Sequence, residues 1–129
     1  MAAAVAAGLL SQPCAGDSVL YSGNQIGSTL SAEESLTLGT YSLKMRADCN
    51  LVLSDGNQTI WATNTVIPGS PDCRLALQSD GNLVIYSEKT GTVWASDSQR
   101  EEGFYVLVLQ RDRDVVVYGN PSWASNTKV

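Results

Sequence analysis

The chain predicts an all-β domain made of three small antiparallel sheets around a pseudo-threefold axis, and three observations carry that expectation. A nine-residue pattern recurs as Arg46-Ala47-Asp48-Cys49-Asn50-Leu51-Val52-Leu53-Ser54, Gln78-Ser79-Asp80-Gly81-Asn82-Leu83-Val84-Ile85-Tyr86 and Gln110-Arg111-Asp112-Arg113-Asp114-Val115-Val116-Val117-Tyr118, its aspartates at 48, 80 and 112. Each copy is followed by a tryptophan in a similar setting: Trp61-Ala62-Thr63-Asn64, Trp94-Ala95-Ser96-Asp97 and Trp123-Ala124-Ser125-Asn126. No segment shows a helical period, whereas apolar alternation and turn signals recur along the chain. A repeat of this length, carrying both polar and aromatic positions, marks one structural unit used three times. What all copies keep is architecture; what single copies lose is function.

The elements follow in order. Residues 1–16 carry no charged side chain and are rich in alanine, with small residues Cys14-Ala15-Gly16 before Asp17. They read equally as a short secretory signal cleaved near Gly16, without the usual basic start, and as a cloning leader or a fragment of a longer precursor. The stretch is too short to span a bilayer. The folded domain is expected over residues 17–129. In the first copy, Tyr41 to Met45 and Asn50 to Leu53 read as strands, with Asp55-Gly56-Asn57 as the next turn. In the middle copy, Leu75 and Leu77 alternate with Ala76 and Gln78 before the turn Ser79-Asp80-Gly81, where glycine supplies the positive φ of a hairpin. Period-2 geometry then sends Leu83 and Ile85 to the core face, and Asn82, Val84 and Tyr86 to the other. Glu88-Lys89-Thr90-Gly91 turns the chain into a strand at Thr92 to Ala95. The last copy repeats this with Tyr105 to Gln110 and Val115 to Tyr118. Trp61, Trp94 and Trp123 are expected to fill much of the centre, because large aromatics dominate burial.

Composition narrows the function. The 129 residues carry a net charge of −5 with no run of Lys or Arg, which argues against nucleic-acid and anionic-membrane partners, both of which need a basic footprint. Histidine is absent, which removes the commonest general base and metal ligand. No metal or cofactor is expected. The three cysteines leave one over. If the leader is lost, Cys49 and Cys73 remain as an even pair, to be read either as a bridge or as two buried thiols. Asn57-Gln58-Thr59 is an N-glycosylation acceptor and, with the leader, favours an oxidising compartment: a secreted or vacuolar protein.

The middle copy carries chemistry suited to a hexose. A sugar presents hydroxyls that donate and accept, beside an apolar C–H face. Asp80 supplies acceptors, Gln78 and Asn82 supply a donor and an acceptor each, and Tyr86 supplies a hydroxyl. The hairpin sets Gln78 beside the strand bearing Asn82, Val84 and Tyr86, and Val84 offers an apolar floor. The outer copies depart from this set. The first keeps Asp48, Asn50 and Val52 but has Arg46 for Gln and Ser54 for Tyr, so it reads as dead or greatly weakened. The last keeps Gln110, Asp112, Val116 and Tyr118 but has Asp114 for Asn, which puts two like charges close together and removes a donor, so it reads as weak.

The string Gln-x-Asp-x-Asn-x-Val-x-Tyr resembles that of the monocot mannose-binding, or bulb-type, lectins. Asp17-Ser18-Val19-Leu20-Tyr21-Ser22-Gly23, Asp48-Cys49-Asn50-Leu51-Val52-Leu53, Cys73 and the repeated Trp-Ala motif support the likeness, which spans residues 17–129. The resemblance implies a type II β-prism, a Cys49–Cys73 bridge and one shallow mannose site per repeat. In those sites the Asp and Asn positions hold the axial 2-hydroxyl, Gln the 3-hydroxyl and Tyr the 4-hydroxyl. It also implies exchange of the C-terminal strand, residues 121–129, between subunits of a homodimer or higher oligomer, although Gly119-Asn120-Pro121-Ser122 departs from the family's usual approach to the last Trp.

Three functions compete. The leading one is a non-catalytic lectin for mannose-rich glycans, in plant defence or storage. A glycosidase needs two carboxylates facing each other across one sugar, roughly 5 to 10 Å apart, and the repeated aspartates belong to different sheets. The third is a storage, interaction or taste-modifying protein on the same scaffold with sugar binding largely lost, which the intact middle copy opposes.

Overall fold

Strands form where alternating apolar residues meet turn residues, and the computed structural model places them over residues 18–23, 28–69 and 71–119, the part of the chain it describes. They are β1 (Val19–Tyr21), β2 (Thr29–Leu30), β3 (Ser35–Leu38), β4 (Tyr41–Met45), β5 (Leu51–Asp55), β6 (Gln58–Ala62), β7 (Cys73–Leu77), β8 (Leu83–Ser87), β9 (Gly91–Ala95), β10 (Tyr105–Leu109) and β11 (Val115–Gly119). They build three antiparallel sheets, ordered β3-β4-β5-β6, β2-β7-β8-β9 and β1-β10-β11. These first, second and third sheets carry the three copies of the repeat in turn.

Each sheet is centred on a hairpin of five-residue strands whose inward residues face each other: Leu43 opposite Leu53, Leu75 opposite Ile85, Leu107 opposite Val117. The leucines of β4, β5, β7, β8 and β10 join Met45 and Ile85 in one buried cluster. Burying one such side chain contributes roughly 1.5–3 kcal/mol, so the leucine-lined inner faces are what hold the sheets together. Strands β1, β2 and β3 extend the pattern in a way the sequence does not announce. They are two to four residues long, and each goes to a different sheet, adding Leu20, Leu30 and Leu36 to the core.

The expected tryptophan core is corrected. Trp61 pairs with Leu53 and Trp94 with Ile85, so both indoles lie on the core-facing side of their sheets. They nevertheless sit on the edge strands β6 and β9. Trp61 is 44% exposed and Trp94 half-buried, the two meeting edge to face at a centroid distance of 6.1 Å. Direction follows the alternation, whereas burial depends on what covers the edge, and aliphatic side chains from the inner strands fill the centre instead. Trp123 and residues 121–129 lie outside the described residues, as do residues 1–16 and Cys14.

Cys49 and Cys73 are joined, with Cα atoms 5.3 Å apart. Cys49 sits in the turn between β4 and β5 and Cys73 opens β7, so the bridge ties the first sheet to the second. Closing a loop of 24 residues stabilises the fold by roughly 3 kcal/mol in the chain-entropy account. Asn57 lies at the exposed tip of the β5–β6 hairpin.

Candidate functional site

The three repeated turns have one backbone design. In the middle copy Gln78 N donates to Asn82 O at 2.9 Å and Gly81 N to Gln78 O at 2.9 Å, and Arg46–Asn50 and Gln110–Asp114 reproduce both bonds. The residue after each aspartate takes positive φ: 80° at Cys49, 84° at Gly81 and 71° at Arg113. The aspartate closes the turn itself. Asp80 Oδ1 accepts from Asn82 N at 2.9 Å, Asp48 Oδ1 from Asn50 N at 3.1 Å, and Asp112 Oδ1 from Asp114 N at 2.9 Å. Asx turns of this kind compete well with regular pairing, and here they set where the other carboxylate oxygen points.

In the middle copy the sequence-predicted residues come together on the outer side of the second sheet. Val84 is only 6% exposed, yet it lies on the face opposite Leu83 and Ile85, between Ala76 on β7 and Ala95 on β9, whose small side chains leave room around it. Tyr86, 43% exposed, follows a bulge in the β8–β9 pairing and stands beside Arg74, which is paired to Glu88 at 3.1 Å. Gln78 is exposed at the mouth of the hairpin. The loop after β9 clasps the turn: Arg100 N donates to Asp80 O at 2.6 Å, Gly103 N to Ser79 O at 2.9 Å, and Ser79 Oγ to Glu102 Oε1 at 2.7 Å. Among the described residues no protein group bonds Asp80 Oδ2, the side-chain nitrogen of Asn82, the side-chain amide of Gln78 or the Tyr86 hydroxyl. A rigid turn thus presents acceptors, donors and an apolar floor toward solvent.

The first copy has the same backbone and a different surface. Arg46 Nη2 lies 3.2 Å from Asp48 Oδ2, so the oxygen left open at Asp80 is occupied here by the chain's own guanidinium. Val52 remains on the outer face opposite Lys44, and Ser54 takes the tyrosine position directly after an equivalent bulge. In the third copy Gln110 Nε2 donates to the Tyr118 hydroxyl, which shows that these two repeat positions converge in space. Asp114 turns back on its own backbone, its Oδ1 accepting from Val115 N at 3.0 Å. Asp112 and Asp114 are both exposed, and Val116 is half-buried.

Sequence reasoning missed the hydroxyl residues behind the asparagines. Ser96 Oγ donates to Asn82 Oδ1 at 3.2 Å and accepts from Leu83 N at 3.1 Å, while Ser98 N donates to the same Asn82 oxygen at 3.2 Å. Thr63 and Thr65 hold Asn50 in the same way. The signal was a second hydroxyl residue two positions beyond the Trp-Ala-Ser/Thr motif, at Thr65 and Ser98.

No family model matches the chain. Over 115 residues it is 50% identical to the mannose-specific lectin of Narcissus pseudonarcissus, covering 88% of this chain and 99% of that one. Its fold superposes on the snowdrop (Galanthus nivalis) mannose-specific agglutinin complexed with methyl-α-D-mannoside with a TM-score of 0.75 at 45% identity, covering 88% of this chain and 99% of that one. It is also similar to a monomeric monocot mannose-binding lectin from Gastrodia elata, with a TM-score of 0.72 at 46% identity and coverage of 81% and 89%. Repeat, bridge, three-sheet architecture and near full-length similarity agree: the chain belongs to the monocot mannose-specific lectins of the bulb type, with their β-prism fold.

Proposed function

We infer that this chain is a lectin that binds mannose or mannose-rich glycans without acting on them, and that the middle copy is its principal site. The observation that carries this is the open, rigid turn at Asp80. One sugar hydroxyl can donate to Asp80 Oδ2 while accepting from the Asn82 amide, and Gln78 and Tyr86 stand ready for two neighbouring hydroxyls over the Val84 floor. The axial 2-hydroxyl, 3-hydroxyl and 4-hydroxyl of mannose fill these places in that order. On this reading the first copy is dead or greatly weakened and the third binds weakly. Four polar contacts on a shallow surface give monosaccharide affinity on the order of millimolar, so strength comes from several sites engaging one glycan-bearing particle.

The double substitution Asp80→Asn with Asn82→Asp tests this directly. Both replacements keep the oxygens that close the turn and hold the Asn82 side chain, while exchanging the outward donor and acceptor. Retention on mannose-agarose is expected to vanish with the circular dichroism spectrum unchanged; persistent retention overturns the assignment. A wild-type chain that is not retained favours the non-binding scaffold reading.

The protein is further proposed to assemble by exchange of its C-terminal strand. The first and second sheets end on a fourth strand bearing a tryptophan, β6 and β9, whereas the third has three strands among the described residues and leaves β11 at its edge. Edge strands can pair with another chain. Residues 121–129, with Trp123, would fill that position in a neighbouring subunit and bring a third indole to Trp61 and Trp94. Sedimentation at micromolar concentration is expected to give a dimer or larger species; a well-folded monomer, the state described for the Gastrodia lectin, rejects exchange. The bridge and the exposed acceptor at Asn57 support passage through the secretory pathway to the cell exterior or the vacuole, with a role in plant defence or storage.

A further inference from the structure

We propose that Ser96 and Ser98 are positioning residues for ligand recognition: they fix which end of the Asn82 amide faces the sugar. The inference rests on the middle copy being the sugar site, and it names what gives that site its donor. A carboxamide has two ends that differ in chemistry, an accepting oxygen and a donating nitrogen, and rotation by half a turn exchanges them. The structure removes this freedom. Ser98 N lies 3.2 Å from Asn82 Oδ1, and a backbone N–H can only donate, so the atom it meets must be the oxygen. The Asn82 nitrogen therefore faces outward, where it donates to a ligand oxygen.

The serines make this arrangement rigid. Ser96 Oγ and Ser98 Oγ are 2.6 Å apart, and Ser98 Oγ donates to Gly81 O at 2.8 Å, within the Asp80 turn itself. Ser96 Oγ also takes the Leu83 amide proton at 3.1 Å, so the pair spans the turn and the start of β8. Asp97 between them has φ of 58°, the left-handed conformation that Asp and Asn tolerate best, and this bend brings the Ser98 amide back onto Asn82. The first sheet has a matching device, in which Thr65 N meets Asn50 Oδ1 at 3.4 Å as Ser98 N meets Asn82, with one added bond from Asn64 N. Asn64, φ 58°, stands between Thr63 and Thr65; Asn64 N meets Asn50 Oδ1 at 2.9 Å and Thr65 Oγ1 donates to Cys49 O at 2.7 Å. Threonine at both places shows that the hydroxyl, and not the serine, is what the device requires.

The third copy shows what the residue being held must be. Asp114 offers oxygen at both ends, so no orientation of its side chain yields an outward donor. Val115 N, whose counterparts Leu51 and Leu83 bond a threonine or serine hydroxyl, bonds Asp114 Oδ1 among the described residues. The donor is thus lost where the sequence reads as a weakened site.

The test is a titration of the full chain with methyl α-D-mannoside, followed by NMR of the side-chain amide of Asn82. Wild type is expected to show one ordered amide pair that shifts on sugar addition. Ser96→Ala with Ser98→Ala is expected to weaken binding about tenfold, the effect of misdirecting one hydrogen bond, and to broaden or shift the amide pair before any sugar is added. Ser96→Thr with Ser98→Thr, the residues of the first sheet, is expected to restore both. Should the alanine pair not fold, Asn82→Asp replaces it: it keeps the inward oxygen and removes the outward donor, so it is expected to fold with the Ser98 amide still protected from exchange and to lose at least tenfold in affinity. Unchanged affinity in the alanine pair, with wild type binding normally, overturns this inference alone, whereas unchanged affinity in Asn82→Asp overturns the assignment of the middle copy as the principal site along with it. Absence of wild-type binding overturns the lectin reading and this inference with it.

Discussion

The first and middle copies of the repeat close their turns with the same backbone bonds and differ in what meets the second oxygen of the aspartate. In both, Oδ1 of the aspartate closes the turn onto the amide two residues on. In the first, Oδ2 is taken by Arg46 at 3.2 Å; in the middle, no described residue bonds it. One side chain therefore closes the turn with one atom and leaves the other to the chain's own arginine in the first copy and, in the middle copy, open for the proposed sugar contact. That is why an aspartate stands at this position in all three copies although the three sites differ. The Arg46–Asp48 pair is partly exposed and adds at most about 1 kcal/mol to stability. Millimolar sugar binding corresponds to only about 4 kcal/mol, so a competitor of that size, together with the missing glutamine and tyrosine, fits the proposal that the first copy is dead or greatly weakened.

The largest test of this comparison removes the one covalent feature that separates the copies. Cys49 occupies the place of Gly81, and Cys49→Ala with Cys73→Ala is expected to lower unfolding free energy by roughly 3 kcal/mol in denaturant titration. Cys49→Gly with Cys73→Ala is expected to lose less, because glycine accepts the φ of 80° without strain. Equal losses in the two pairs break the claim that the turns are conformationally equivalent.

Gly81→Ala probes the same position from the other side. The added methyl would keep φ of 84° and lie 3.0 Å from the ring of Tyr105, which is 4% exposed and anchored by its hydroxyl to Glu101 O at 2.6 Å. A loss of about 1–2 kcal/mol is expected, read as a lower midpoint in thermal unfolding.

Converting the first copy sharpens the functional half of the comparison. Arg46→Gln frees Asp48 Oδ2, and Ser54→Tyr places a hydroxyl at a residue that follows the same bulge as Tyr86. The double variant is expected to gain a second set of resonances that shift with methyl α-D-mannoside, and a several-fold longer retention on mannose-agarose through added valency. No gain in either would mean that an open Oδ2 is not what distinguishes the copies.

The smallest effect concerns Glu33 beside the first copy. The hydrogen bond from Lys44, then that from Ala47 N, holds its carboxyl below the ordinary 4.5. A depressed carboxylate contributes stability above its unfolded value and loses it as pH falls through its folded value. Glu33→Gln is therefore expected to lower the unfolding midpoint slightly at neutral pH, with the difference closing well below 4.5. A difference that widens in acid contradicts the sign.

Much of this was legible in the sequence because it depends on local periodicity. Alternation located the hairpins and the outward set Asn82, Val84 and Tyr86, and residue types at 46, 54 and 114 marked the altered sites. Three features were not legible. Strands β1, β2 and β3 are too short to show a period, and their partners lie far along the chain. Alternation set the direction of Trp61 but could not reveal that β6 is an edge. The bracing of Asn82 depends on Ser98, sixteen residues away, and on a left-handed Asp97, a contact that spacing alone does not predict.

Those three short strands also impose a timetable on the chain. The first sheet draws all its residues from positions 35 to 62, so it can form as soon as that segment leaves the ribosome. The third cannot: Val19 pairs with Val108, which holds the earliest strand in waiting until almost the last has been made. Contacts of such sequence separation are slow to close, and vectorial synthesis orders the domain from its first sheet toward its third. During that interval β1 has no described partner other than its eventual one in β10, which makes the nascent chain most vulnerable to misassociation before its final residues appear.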